Sequence, residues 1–294
     1  MKLYAPAYYK NFKCIADKCE HSCCIGWEID VDKVTLEKYK SLNTDYGRVI
    51  ADSISYEDTP HFKLGECDRC PHLDERGLCK IILNEGEDLL SDICREHPRF
   101  YNFTSVAEVG IGMSCPEAAR IILSSPDYTT TECVGNVDAD AYDLDFDGRI
   151  ERDKIYAILQ NTKYSYSDRL EHIYNLYSIE RGIDEEWLEK LNSLEYLNEA
   201  HKDLFMHYSS KISQNASDLY QERFLAYLIF RHCTEALDIE NFCEKLTFCL
   251  FCERLLVSMT RFEDAKSLQE VANLASIISE EIEYSDDNTF ALTY

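Results

Sequence analysis

A mainly α-helical chain, with a compact cysteine-rich N-terminal region carrying a few short strands, is predicted by three features of this sequence. All six prolines lie at or before Pro126, and eight of the ten glycines lie at or before Gly135. The later part can therefore run in long helices while the earlier part is punctuated by turns. Apolar residues recur at helical spacing throughout that later part. The third feature is size: 294 residues, 45% of them hydrophobic, fill a core without a disulfide framework. The expected organisation is a cysteine-rich metal-cluster region over 1–126, an acidic linker over 127–149 and a helical region over 150–294.

In chain order, Trp27 to Val31 reads as a short strand and Val34 to Tyr39 as a short helix with Asp32 as its N-cap. Leu89 to Cys94 reads as a helix that ends before Pro98. Val106 to Ile111 reads as a strand, and Pro116 to Leu123 as a helix with proline in its first turn. The linker contains Thr129-Thr130-Thr131 and the acidic stretch from Asp138 to Asp147. Within it, Asp143-x-Asp145-x-Asp147-Gly148-x-Ile150 matches the opening of a calcium loop, but the closing glutamate would fall at residue 154, which is Lys154. The segment reads instead as a solvated acidic connection. Beyond it, Ile155, Ile158 and Leu159 form one apolar stripe, and Leu170, Ile173, Tyr174 and Tyr177 another. Phe224, Tyr227, Leu228 and Arg231 make a stripe with a polar edge, and Leu246, Leu250, Leu255 and Met259 continue the pattern. Five or six packed helices are expected over 150–283. There is no internal repeat.

The net charge of −25 sets limits on partners. Such a surface repels phosphate backbones and anionic lipid, so neither nucleic acid nor a membrane is an expected partner, whereas a lysine side chain would be attracted. Neither a signal peptide nor an apolar run of roughly 18 residues is visible, so the chain reads as cytoplasmic. In that reducing setting, fourteen cysteines point to metal or redox chemistry rather than disulfides.

Nine of the fourteen fall between residues 14 and 115, in groups. They run Cys14-x4-Cys19-x3-Cys23-Cys24, then Cys67-x2-Cys70-x8-Cys79, then Cys94 and Cys115. Thiolates are soft ligands suited to zinc and to iron–sulfur clusters. A single Cys-x2-Cys pair with irregular partners weakens a zinc-ribbon reading. Adjacent Cys23 and Cys24 point in different directions on most backbones and do not both suit one iron. His21 and His97 lie inside cysteine groups and are further candidate ligands. Cys233, Cys243, Cys249 and Cys252 sit at helical spacing among apolar residues and read as core, and Cys133 as incidental.

Specific segments carry a resemblance. They are Phe12-Lys13-Cys14-Ile15, Cys19, Cys23-Cys24-Ile25-Gly26-Trp27-Glu28-Ile29, Cys70-Pro71-His72-Leu73-Asp74-Glu75 and Gly77-Leu78-Cys79-Lys80-Ile81. Cys94-Arg95-Glu96-His97-Pro98-Arg99 and Ser114-Cys115-Pro116-Glu117-Ala118-Ala119-Arg120 complete them. Together they resemble the flagellin lysine-N-methylase family across residues 4–123. The subset Cys19, Cys23-Cys24, Cys70, Cys79 and Cys94-Arg95 with Pro98 also resembles a broader family of zinc- or iron-chelating cysteine-rich domains. Cys67 lies outside both patterns. The first resemblance implies methyl transfer from S-adenosylmethionine to lysine side chains of flagellin, and a four-iron four-sulfur cluster. It implies as the ligand pool Cys14, Cys19, Cys23, Cys24, Cys70, Cys79, Cys94 and Cys115, without saying which four bind.

The residues add mechanistic constraints. A Gly-rich nucleotide turn is missing, since Gly110-x-Gly112 is followed by Met113-Ser114-Cys115. A neutral lysine amine is already a nucleophile towards a sulfonium methyl, but it must first lose its proton. Glu117, Tyr101, Asp74 and Glu75 are the candidate bases. Arg95, Arg99 and Arg120 are candidates to hold a carboxylate or offset cluster charge, and Trp27 to stack on the donor. The alternative functions are a zinc- or iron-binding adaptor that docks proteins through its helical half, and a redox-sensing module with exposed thiolates.

Overall fold

The computed structural model describes residues 1–19, 21–140, 145–211 and 218–294. Among these the chain forms six strands and thirteen α-helices. In order they are β1 (Lys2–Pro6), α1 (Lys33–Ser41), α2 (Asp45–Asp52), β2 (Ile54–Ser55), β3 (His61–Phe62), α3 (Lys80–Glu85), α4 (Asp92–Glu96), β4 (Arg99–Phe103), β5 (Ala107–Ile111), α5 (Pro116–Ser124) and β6 (Thr131–Asn136). There follow α6 (Gly148–Leu159), α7 (Tyr166–Leu176), α8 (Asp184–Ser193), α9 (Glu199–Phe205), α10 (Asp218–His232), α11 (Ile239–Phe262), α12 (Leu268–Ile278), a π-helical turn over Ser279–Glu283, and α13 (Asp286–Thr293). The mainly helical class expected from the sequence is the class observed. No helix among the described residues is long and apolar enough to cross a membrane.

The chain divides into two compact units, Lys13–Pro98 and Met1–Phe12 with Arg99–Tyr294. Residues 1–12 and 99–126 thus group with the helices rather than with the first eight cysteines.

In the Lys13–Pro98 unit, Asp32 caps α1 by accepting from the Thr35 amide at 2.9 Å, and Thr44 caps α2 by accepting from the Gly47 amide at 2.9 Å. These helices bury Leu36, Tyr39 and Ile50 against Ile29, Val31, Ile54, Phe62, Leu73 and Ile81. The strand expected over Trp27–Val31 is an irregular extended segment instead. Its Ile29 carbonyl accepts from the Phe62 amide (3.0 Å) and its Val31 amide donates to the Pro60 carbonyl (2.7 Å), with an isolated bridge between Asp30 and His61. The β2–β3 hairpin beside it is too short to extend those bonds into a ladder.

In the other unit, a four-stranded sheet has the order β4-β5-β1-β6. β5 and β4 form an antiparallel hairpin, β1 lies parallel to β5, and β6 is antiparallel to β1 at the edge. All five residues of β5 are buried. Gly110 of β5 faces Phe100 of β4, and a Cβ there would stand 2.3 Å from the Phe100 ring, so only glycine admits this aromatic. β6 lies inside the span read as an acidic linker, and α6 starts within it. The residues 141–144, which include Asp143, are not among those described. Asp147 caps α6 through the Arg149 amide (3.0 Å) and also holds the Arg149 guanidinium, which engages the last carboxylate of the calcium-loop pattern.

Among the described residues from Gly148 to Ile278 there are seven α-helices, not five or six. Their ends are set by side-chain caps in place of Gly or Pro. Ser165 caps α7, Asn198 caps α9, Asp238 caps α11, and Ser267 with Glu270 forms a capping box on α12. Such breaks leave no composition signal. α11 is buried over most of its circumference and packs against α10, α12 and α13. Cys233, Cys249 and Cys252 are fully buried here, as expected of core residues, and Cys243 is half-buried. Cys133 is exposed on β6.

Candidate metal centre

Backbone pairing gathers thiols from three loops of the Lys13–Pro98 unit. The Cys23–Cys24 loop is bound to the Cys67–Cys70 loop. The Cys70 amide donates to the Cys24 carbonyl at 2.8 Å, and the Gly26 amide to the Asp68 carbonyl at 3.1 Å. The next turn brings Cys79 back towards Cys70 through the Leu73–Cys79 bridge and the Lys80 amide bond to the His72 carbonyl (2.7 Å). Asp74 builds that turn, its Oδ1 accepting from the Leu78 and Arg76 amides at 2.8 Å each. Cys94 arrives on α4, which is held by the Asp92 amide bond to Asp32 Oδ2 (2.9 Å). Cys70 is buried, while Cys24, Cys79 and Cys94 line the edge of the same apolar core.

The electrostatics show that these thiols sense one another. A hydrogen bond from Cys24 lowers Cys23 to about 7. The same bond, then burial and the charges of Cys23, Cys70 and Cys94, drive Cys24 strongly upward. Burial raises Cys94 to about 12, the Ser91 hydroxyl opposes this, and Cys70, Cys79 and Cys23 reinforce it. Burial raises Cys70 too, with Cys79 adding to it. The charges of Cys23, Cys70 and Cys94 disfavour a thiolate at Cys24, and those of Cys70, Cys79 and Cys23 disfavour one at Cys94, an environment that a bound cation would relieve. The donor chemistry of Cys23, Cys24, Cys70, Cys79 and Cys94 therefore fits a thiophilic metal. Among the described residues, no three His, Cys, Asp or Glu side chains already stand in a metal-holding arrangement.

The other expected ligands are placed less centrally. Cys14 is exposed and Cys19 half-buried in the same unit. Cys115 belongs to the helical unit, where it is the N-cap residue of α5 and packs against that unit's core. Cys67 is exposed, with a left-handed backbone (φ 55°). His21 is near enough to help lower Cys23. His97 is pushed down to about 4 by burial, then by His21, and its ring lies 6.2 Å from Trp27. His72 is a structural pin. It is buried, with Tyr46 Oη on Nδ1 and Ser53 Oγ on Nε2, each at 2.9 Å.

The non-cysteine candidates scatter between the units. Trp27 donates through Nε1 to the Cys23 carbonyl at 2.9 Å, which ties the indole to the thiol loop. Arg95 pairs with Asp92 and donates to the Leu90 carbonyl (3.2 Å). Arg99 donates to Tyr9 Oη at 2.9 Å and lies over the Tyr9 and Phe12 rings. Arg120 makes a two-pronged pair with Glu117 at 2.6 and 2.7 Å, so this candidate base is engaged by a cation. Tyr101 is exposed on β4 and stacks on Phe103. Asp74 is committed to its turn and Glu75 is exposed.

A second polar centre, in the helical unit, escaped sequence reasoning. Glu283 of the π-helical turn is buried with Arg231 (3.3 Å) and His232 (2.7 Å), and Tyr227 Oη donates to it at 2.9 Å. Tyr227 and Arg231 are one helical turn apart, and their register was the visible signal; what it faced was not. Burial alone would raise Glu283, but Arg231, His232 and Ser279 hold it down at about 2 against an ordinary 4.5. A depressed carboxylate contributes stability that is fully present above about pH 4.5 and is lost as pH falls towards 2. Glu283→Gln should therefore lower the melting temperature at pH 7, with the gap to the parent closing as the pH falls through that window. A gap that is constant from pH 7 to 3 would refute the coupling.

Over 130 residues, 42% of its length, the chain is 32% identical to the flagellar biosynthetic protein FliU of Salmonella muenchen, and the match covers 77% of that protein. The same identity over the same length relates it to the lysine-N-methylases of Salmonella typhimurium and Salmonella choleraesuis, of which the match covers 32%. No family model matches, and no solved structure matches. The chain belongs to the flagellin lysine methylase family that includes FliU.

Proposed function

We propose that this chain is a protein-lysine N-methyltransferase that moves a methyl group from S-adenosylmethionine to lysine side chains of flagellin, with an iron–sulfur cluster in its cysteine-rich part. The observation that carries the reading is the 32% identity to FliU over 77% of that protein, shared with proteins named lysine-N-methylases. Those methylases are matched over only 32% of their length, so activity and substrate are carried over by family membership.

The proposed ligands come from the pool Cys14, Cys19, Cys23, Cys24, Cys70, Cys79, Cys94 and Cys115, with Cys23, Cys70, Cys79 and Cys94 foremost. When bound, the cluster supplies iron able to hold the amino and carboxylate groups of the donor, or else a structural pin for its loops. The chain's own contribution begins with charge. A net −25 draws a lysine-bearing partner inward and speeds encounter, an effect that salt weakens. In the transfer, the neutral lysine Nζ forms a bond to the methyl carbon as the carbon–sulfur bond breaks. The sulfonium leaves as a neutral thioether and the new ammonium releases a proton. Free lysine titrates near ~10.4, so turnover should rise from neutral to mildly alkaline pH. The assay gives the anaerobically purified protein labelled S-adenosylmethionine and flagellin, then maps label by peptide mass. Label missing from lysines, with cluster intact and flagellin folded, would sink the methyltransferase reading in favour of a metal-binding adaptor.

A further inference from the structure

The Gly112–Pro116 turn, which leads from β5 into α5, is held by helices that lie more than a hundred residues later in the sequence. The Met113 amide donates to the Tyr227 hydroxyl of α10 at 3.1 Å. The Ser114 carbonyl accepts from Ser276 Oγ of α12 at 3.0 Å. Tyr227 is itself fixed, since its hydroxyl donates to Glu283 Oε2 (2.9 Å) and accepts from Arg231 Nη1 (3.0 Å). The Arg231 guanidinium reaches back to the Glu283 carbonyl (3.2 Å) and lies 5.2 Å from the Tyr284 ring centre. One phenolic hydroxyl thus uses its donor and both acceptor positions to join the turn to a buried ion pair.

Burying Arg231 and Glu283 has no advantage in stability over apolar side chains of similar size. A fully satisfied polar network does fix one geometry, because any shift leaves a buried group without its partner. The geometry fixed here is the backbone of Met113 and Ser114, and with it the direction in which Cys115 starts α5. We propose that Tyr227 and Glu283 are positioning residues that hold the Met113–Cys115 turn and thereby set the Cys115 thiol. On this view α10 and the π-helical turn act on a thiol of their own unit. The consequence for catalysis rests on the proposed methyl transfer; the positioning itself does not.

The test uses the full chain and two isosteric changes, Tyr227→Phe and Glu283→Gln. A short pulse of iodoacetamide followed by peptide mass mapping gives the alkylation rate of Cys115 relative to exposed Cys133. Continued protection of buried Cys249 and Cys252 shows that the fold is kept, and whichever variant passes that control decides. The ratio is expected to rise about tenfold as the turn gains a local opening. Flagellin methylation should lose kcat with KM within about twofold. A ratio within about twofold of the parent, in a variant that keeps its core protected, overturns the proposal. So does loss of methylation with that ratio unchanged. A raised ratio in a protein whose parent form methylates nothing keeps the positioning and removes the methyltransferase reading.

Discussion

Cys94→Ala is expected to abolish binding of the proposed metal almost completely. Cys94 approaches the thiol group on its own short helix, and no neighbouring residue of α4 offers a second sulfur. Removing one of four ligands from a cluster costs far more than removing one apolar contact, because apo and holo folding are coupled. The burial of Cys94 and its interaction with Cys70, Cys79 and Cys23 place it within the group, not beside it. Cys252→Ala is the control, since that thiol is fully buried in α11, within the apolar core of the helical unit. Iron, sulfide and zinc are measured on the same anaerobic preparation. Loss of iron and sulfide together supports the cluster, loss of zinc alone supports the adaptor reading, and full metal retention in every single Cys→Ala variant of the eight-residue pool would remove the assignment.

What the sequence made legible was local. The Asp32 cap of α1, the proline start of α5, the β5 strand and the core thiols Cys233, Cys249 and Cys252 follow from nearest-neighbour patterns, and the structure shows each. What it hid was non-local. Grouping Cys115 with the helical unit depends on β1, at the start of the chain, pairing in parallel with β5 a hundred residues later, with register Leu3 to Ala107. No periodicity announces such a pairing. The Glu283 network was hidden for the same reason, because a run such as Ser279-Glu280-Glu281-Ile282-Glu283 looks like a solvated face until Arg231 and His232 are placed against it. Trp27–Val31 has the composition of a strand but lacks a neighbour long enough to make it one. The family resemblance proposed a pool, and the backbone bridges Ile25–Arg69 and Leu73–Cys79 show how its middle members share one core.

Arg152→Ala should cost about 3–5 kcal/mol of stability, the range expected when one half of a buried ion pair is removed. Arg152 of α6 reaches Glu108 of β5 with bonds of 2.9 and 2.8 Å, and both side chains are under 5% exposed. Thr234 Oγ1 lies 3.3 Å from the same guanidinium nitrogen, and the Tyr156 and Phe230 rings flank the group. Without Arg152, the Glu108 carboxylate would remain in a strand whose five residues are all buried, without the cation that is hydrogen-bonded to it. It would have to take up a proton or admit water, and either change loosens the contact between sheet and helices. Chemical denaturation measures the loss directly. The double variant Glu108→Leu with Arg152→Met separates charge from packing, since it removes both ions and keeps most of the volume. Stability should then return to within about 1–2 kcal/mol of the parent, because the desolvation cost disappears along with the attraction. If the double variant is as unstable as Arg152→Ala, the pair contributes through geometry that apolar residues cannot supply. If Arg152→Ala alone costs less than about 1 kcal/mol, the guanidinium is not the balance for Glu108 that its distances indicate.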